Sequence, residues 1–138
     1  MSDRARALPL LLVTLGLGAC APPYGPPVIN HGGPTREQFL QFAGPPVDRF
    51  TWIGRYYAFT VLGKQQVVVW TTINDAYLLT VTAPCVGLDF VNGIHFTSSA
   101  RTVTRGVDGL LVDGQKCFIT EIRPVDYRAM KKALHTSP

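Results

Sequence analysis

The stretch covering residues 50–81 is rich in β-branched and aromatic side chains and poor in helix formers. Turn residues at Gly63-Lys64 and Asn74-Asp75 divide it into three predicted strands, which form an antiparallel meander. The middle strand contains residues 67–70, Val-Val-Val-Trp, and is apolar on both faces. Such a strand is typical of a central position in a sheet that is covered on both sides.

The second half of the chain predicts more strands. Three short ones are expected at residues 94–97, 102–104 and 110–112. Asp113-Gly114 has the residue types of a tight hairpin turn and leads into a longer strand over residues 115–123. We expect Pro124 to end that strand and to begin a helix, because proline is favoured in the first helical turn.

Two short helices are predicted to flank the strands. Thr35, with Gln38 three residues later, has the spacing of a capping box. Phe39 and Phe42 would then share one face of the first helix. The second helix is expected to be capped by Asp126 and to have separate apolar and basic stripes. The apolar stripe comprises Tyr127, Met130 and Leu134, and the basic stripe comprises Arg128, Lys131, Lys132 and His135.

These elements predict a mainly β (α+β) domain over residues 35–138. We expect a small antiparallel meander or partly closed barrel with two short flanking helices and one disulfide. The chain has 138 residues, which is enough for one small domain with a modest core. Its net charge of +4 is too small to favour nucleic acid as a partner.

The first twenty residues have the pattern of an export signal. Arg4 and Arg6 precede an apolar run, which ends at Leu17-Gly18-Ala19-Cys20. That run is shorter than the roughly 20 apolar residues needed to span a bilayer. The small residues before the cysteine resemble the lipobox of bacterial lipoproteins, which implies a signal peptide over residues 1–19 and a lipidated Cys20. An ordinary secretory signal is the alternative.

Residues 20–34 are predicted to be the lipidated cysteine and a tether. Five prolines and three glycines lie between positions 21 and 34, so neither a helix nor a paired strand is expected there. In polyproline conformation, at about 3.1 Å per residue, this stretch would reach roughly 40 Å. His31 is interpreted as a solvated tether residue, with a metal or recognition role as the alternative. Ala21 after the lipidated cysteine favours the outer membrane, facing the periplasm.

Cysteine parity supports both the lipid anchor and a disulfide. Lipidation of Cys20 leaves Cys85 and Cys117, which can pair in an oxidising compartment. The alternative is a catalytic Cys85 or Cys117 with His95 as the base. Against that alternative, Cys117 lies in an apolar run where a thiolate is poorly solvated, and neither cysteine belongs to a nucleophile motif.

Other catalytic and cofactor signatures are absent from the sequence. There is no Gly-x-Ser-x-Gly, no phosphate-binding glycine loop, no His-Glu-x-x-His and no Cys-x-x-Cys. Asp89 and His95 could be metal ligands, but two residues without a third are weak evidence. We therefore expect no catalytic residues, no metal and no cofactor.

Two sets of residues are candidates for binding. Trp52, Tyr57 and Trp70 could line a ligand pocket, although an aromatic cluster of this kind is more often the core of a small β domain. Arg128, Lys131 and Lys132 could contact an anionic membrane surface, although a solvated helix face is the more ordinary explanation.

Three segments carry a resemblance to a known family. They are Tyr77-Leu78-Leu79, Cys85-Val86-Gly87-Leu88 and residues 117–126, CFITEIRPVD. Over about residues 50–126 the chain resembles DUF6491, a family of small uncharacterised proteobacterial lipoproteins. The resemblance supports an envelope location and the paired cysteines, and it brings no activity or cofactor.

The expected function is a membrane-anchored periplasmic lipoprotein that acts as a non-enzymatic interaction module of the cell envelope. Its partners would be the membrane, through the N-terminal lipid, and an envelope protein or anionic lipid. The alternative is a small-ligand-binding β domain that uses an aromatic pocket, and a hydrolase using Cys85 or His95 is a third hypothesis.

Overall fold

The computed structural model describes residues 33–53 and 55–136. The predicted signal peptide, Cys20 and His31 lie outside the described residues. The described elements belong to one compact unit, Gly32–Pro138. In chain order they are α1 (Arg36–Gln41), β1 (Arg49–Thr51), β2 (Ala58–Gly63), β3 (Gln66–Trp70), β4 (Ala76–Val81), a 3-10 turn (Leu88–Phe90), β5 (His95–Phe96), β6 (Thr102–Thr104), β7 (Gly109–Val112), β8 (Gln115–Val125) and α2 (Tyr127–Thr136).

Six of the strands form one antiparallel sheet in the order β2-β3-β4-β8-β7-β5, which curves into a half-barrel. The remaining two, β1 and β6, pair with each other in a separate ribbon. The prediction of a mainly β fold with two helices and one disulfide is confirmed. The predicted meander is also confirmed, because β2, β3 and β4 are neighbours in both sequence and sheet.

Strand β3 is covered on both faces, as its sequence predicts. Val67 and Val69 belong to one hydrophobic cluster inside the half-barrel, which we call the inner core. Val68 and Trp70 belong to a second cluster beneath the helices, which we call the outer core. Successive side chains of a strand point to opposite faces, so the apolar run contributes to both cores at once.

The β1–β6 ribbon closes the inner core. Phe50 of β1 and Val103 of β6 are buried in the same cluster as the sheet residues Leu79 and Ile119. The division of residues 50–81 into three strands is therefore incomplete, because β1 leaves the meander and pairs with a strand far along the chain. No local pattern marks that long-range pairing.

Both helices pack on the outer core. In α1 the capping box is present: the Gln38 backbone N–H donates to Thr35 Oγ1 at 3.3 Å, and the Thr35 N–H donates to Gln38 Oε1 at 2.7 Å. The Asp126 carboxylate accepts from the Ala129 N–H at 2.9 Å and so caps α2. Phe39 of α1 and Met130 of α2 are fully buried, which confirms the predicted apolar faces.

The expected helix start at Pro124 is wrong. Strand β8 continues through Val125, and Pro124 pairs with Tyr77 of β4. The Pro124 carbonyl accepts a hydrogen bond from the Gly44 N–H at 2.7 Å, so the backbone of this residue faces away from β4. Because the missing N–H is not needed in the β4–β8 ladder, the strand passes through the proline.

Candidate functional site

Three connections meet at one end of the sheet, which we call the loop end. They are the β2–β3 turn at Lys64-Gln65, the loop over residues 82–91 and the β7–β8 turn at Asp113-Gly114. The Val81 N–H donates to the Gln65 carbonyl at 2.9 Å as the chain leaves β4. The three connections lie at the same end because neighbouring strands of the sheet are antiparallel, so alternate connections fall at one end.

A disulfide joins the loop to the sheet. Cys85 in the loop is bonded to Cys117 of β8, with Cα atoms 5.7 Å apart. Both cysteines are buried. The predicted pairing is confirmed, and the bond removes the hypothesis that either cysteine is a free thiolate nucleophile. His95, the proposed base of that hypothesis, is exposed on the edge strand β5.

The loop over residues 82–91 has two buried residues that hold it and two large apolar residues that are exposed. Cys85 is 6% exposed and Leu88 is fully buried. Val86 is 68% exposed and Phe90 is 84% exposed. Gly87 has a φ of +88° and lies so close to the β7–β8 turn that an added Cβ would be 2.7 Å from Asp113 Oδ2. The loop is therefore fixed while its apolar side chains face solvent.

An apolar cleft of about 410 Å³ separates this loop from the β2–β3 turn. Ala83, Pro84, Val86 and Phe90 supply apolar lining, and Lys64 and Gln65 form the opposite wall. We call these six residues the loop-end surface. Asp89 also lines the cleft, on the loop side.

A smaller and more polar cavity of about 210 Å³ adjoins the β2–β3 turn on its other side. Its lining includes Arg36, Gln66 and Thr80, together with the same Lys64 and Gln65 that border the apolar cleft. The Arg36 Nε donates to Gln66 Oε1 at 2.5 Å, and the Gln66 Nε2 donates to Thr80 Oγ1 at 3.4 Å. This chain of hydrogen bonds holds the Arg36 guanidinium over the cavity.

The comparisons with known proteins place the chain in a family. Residues 3–137 match the sequence model of DUF6491, which is described as a family of unknown function. The chain belongs to the DUF6491 family. No curated protein and no solved structure matches it. The predicted resemblance is confirmed, and the family description assigns no activity, so the function of this DUF6491 chain has to be argued from its residues.

The aromatic residues predicted as ligand contacts do not come together in this DUF6491 domain. Trp52 packs in the inner core, with its ring centroid 5.0 Å from that of Phe96. Trp70 packs in the outer core, 5.7 Å from Phe39. Tyr57 is 64% exposed. The two tryptophans therefore serve packing on different sides of the sheet, which is the more ordinary explanation offered by the sequence.

The basic stripe on α2 is interrupted. Arg128 and Lys132 are exposed, as predicted for a solvated face. Lys131 is half-buried, donates to Asn74 Oδ1 at 3.3 Å and lies 4.9 Å from the centre of the Tyr127 ring. Lys131 thus joins α2 to the β3–β4 turn and is less available to an outside anion than its neighbours.

The described part of the chain holds no group of three His, Cys, Asp or Glu side chains that could bind a metal ion. None of its helices is long and apolar enough to cross a membrane. Sequence reasoning missed the loop-end surface, because residues 82–93 have the proline and glycine content of a simple connection. Val86 and Phe90 are the available signal, since two large apolar residues close together in such a segment can form one exposed patch.

Proposed function

We propose that this chain is a lipid-anchored protein of the bacterial cell envelope whose folded domain is a non-enzymatic interaction module. The leader pattern ending at Cys20 supports the anchor, and Ala21 favours the outer membrane. A disulfide between the two remaining cysteines suits an oxidising compartment such as the periplasm. The domain would act by binding an envelope component through the loop-end surface.

The observation that carries this proposal is the exposure of Val86 and Phe90 on a loop that is held by Cys85 and Leu88. Exposed apolar patches beside a cleft mark interaction sites. A fixed loop loses little conformational entropy when it binds, so more of the contact energy contributes to affinity. Aromatic side chains such as Phe90 are enriched in the centres of binding interfaces.

Crosslinking in the native envelope tests the proposal. The full chain is expressed with its leader, its mass is measured to detect acylation at Cys20, and envelope crosslinks are compared among wild type, Phe90→Ser and Ile73→Ser. Ile73 is the matched control, because it is 59% exposed and lies in the β3–β4 turn at the other end of the sheet. We expect an acylated Cys20 and crosslinks that are lost in Phe90→Ser alone. An unmodified Cys20, or equal crosslinking in all three proteins, would contradict the proposal.

The apolar cleft favours a second candidate function, the binding of a small ligand. Its volume of about 410 Å³ lies within the range of about 300–1,000 Å³ that is typical of ligand pockets. In this second candidate function, the ligand would bind at the loop end and not at Trp52, Tyr57 and Trp70, the contacts predicted from the sequence. Thermal stabilisation of the full chain by soluble compounds, lost in Phe90→Ser and retained in Ile73→Ser, would favour it over the interaction module.

A further inference from the structure

We propose that the loop-end surface, together with Arg36 of the adjoining polar cavity, binds an anionic phospholipid of the membrane that carries the protein. The headgroup would lie at Lys64 and Arg36, and the upper part of an acyl chain would lie in the apolar cleft. This inference rests on the proposed function, because the lipid at Cys20 is what holds the domain beside a bilayer. It deepens that function by naming the chemical class of the partner.

The polar cavity suits an anionic headgroup. Lys64 forms no hydrogen bond or ion pair with any residue in the described ranges 33–53 and 55–136. Arg36 is held by Gln66 through Nε, and its Nη1 has only a distant carboxylate contact, 4.0 Å from Glu37 Oε1. Two cations with unused donors beside the Thr80 hydroxyl provide the charge-assisted hydrogen bonds that phosphate oxygens accept.

The apolar cleft suits an acyl chain, and its position relative to the cations favours a lipid. Lys64 and Gln65 border both cavities, so the polar space and the apolar space are adjacent. An amphiphile that fills both would cover Val86 and Phe90, two large and exposed apolar side chains of the loop. Basic residues next to exposed aromatic ones are typical of surfaces that bind the headgroup region of anionic membranes.

One acidic side chain, Asp89, favours one orientation of the bound lipid. Asp89 lines the apolar cleft on the loop side, away from the polar cavity. Its charge disfavours a phosphate there and leaves the Lys64 end as the place for the headgroup. Arg128 and Lys132 on α2 are the competing basic surface, and neither lines the apolar cleft or the polar cavity.

Photolabelling of the full acylated chain in vesicles tests the inference. Phosphatidylcholine vesicles carry a trace of either phosphatidylglycerol or phosphatidylcholine with a diazirine in the acyl chain, and adducts are mapped by mass spectrometry. We expect the phosphatidylglycerol probe to label residues 83–90. Lys64→Gln should reduce that labelling by about tenfold, because a hydrogen bond to a charged group is lost. Asp89→Asn should maintain or increase it, and the matched control Lys132→Gln should leave it unchanged.

Several results would overturn the inference. They are equal labelling by the two probes, adducts concentrated on α2, or labelling that Lys64→Gln leaves intact. Mass spectrometry of the N-terminal segment in the same samples shows whether Cys20 is acylated. This result distinguishes a failure of the lipid inference from a failure of the proposed function. With Cys20 acylated, absent labelling refutes the lipid as partner, and Phe90-dependent crosslinks to an envelope protein would then identify a protein partner. An unacylated Cys20 refutes the lipid anchor and the inference together.

Discussion

Cys85 is bonded to Cys117 and thereby couples the loop that displays Val86 to β8, the longest strand of the sheet. Cys117 pairs with Leu110 of β7, so the disulfide connects the loop to the β7–β8 hairpin. The position of the loop-end surface thus depends on a covalent link to the rigid part of the domain. This link is the reason why an exposed apolar loop can keep one conformation.

Removing the disulfide should destabilise the domain. The two cysteines are 32 residues apart, and the chain entropy of closing a loop of this size corresponds to about 3.5–4 kcal/mol. Chemical denaturation of the double variant Cys85→Ser/Cys117→Ser should show a loss of this order in the free energy of unfolding. Reduction of the wild type under the same conditions is the control. Unchanged stability in both would contradict the structural role of the bond.

Replacing Gly87 by alanine should also weaken the domain. Its φ of +88° is strained for other residues, which is the main cost, and an added Cβ would also displace the exposed Asp113 carboxylate, whose Oδ2 is 2.7 Å from the Cβ position. We expect a loss of about 1–3 kcal/mol in the free energy of unfolding. Gly93→Ala is the control, because no atom lies within 4 Å of its added Cβ and its φ is not positive. If the two variants unfold at the same denaturant concentration, the left-handed conformation of Gly87 does not resist a side chain.

The outer core depends on Phe39, which docks α1 on the sheet. The side chain is fully buried and its ring makes an edge contact with Trp70. Phe39→Ala should lower the free energy of unfolding by about 3–5 kcal/mol, because a large buried ring is lost and a cavity remains. Gln41→Ala, on the exposed side of α1, should change stability by no more than about 0.5 kcal/mol. Similar losses in both would mean that α1 is not docked as described.

Tyr77 should make stability depend on alkaline pH. Burial raises the pKa of Tyr77 above its ordinary value of 10.0, and the nearby Asp75 carboxylate adds to this effect. Because the folded pKa exceeds the unfolded one, the stabilisation is complete below the unfolded pKa and is lost as the pH rises through the folded pKa. We expect the free energy of unfolding to fall above about pH 10 more steeply in the wild type than in Tyr77→Phe.

Denaturant unfolding across that pH range measures the difference in the free energy of unfolding between wild type and Tyr77→Phe. The contributions of the other tyrosines cancel in this difference because both proteins contain them. Asp75→Asn should give an intermediate slope, since it removes only the smaller cause. A wild-type curve parallel to that of Tyr77→Phe would show that Tyr77 titrates normally.

Much of the local structure could be predicted from short-range patterns. The capping box at Thr35 and Gln38, the Asp113-Gly114 hairpin turn and the two-faced apolar run of β3 all rest on spacings of a few residues. Such patterns depend on backbone geometry that repeats within one element. Pro124 was mispredicted because its strand position depends on pairing with Tyr77 of β4, which is remote in sequence.

The candidate site could not be predicted in the same way. Lys64, Arg36 and the 82–91 loop are separate in sequence, and each has an ordinary local explanation. Their proximity follows from the pairing of Gln66 with Thr80, which places the β2–β3 turn beside the end of β4. Trp52 and Trp70 are separated for a different reason: Trp52 follows β1, which pairs with β6, into the inner core, while Trp70 faces the outer core.

The sequence by itself determined the mainly β character, both helix caps and the two internal cysteines, Cys85 and Cys117, that form the disulfide. These features follow from local side-chain periodicity and from residue counting. Only the tertiary structure decided which aromatics are buried, which cations keep unused donors and that Val86 and Phe90 line the same cleft as Lys64. Those properties depend on strand order and register, which are set by contacts among residues far apart in the chain.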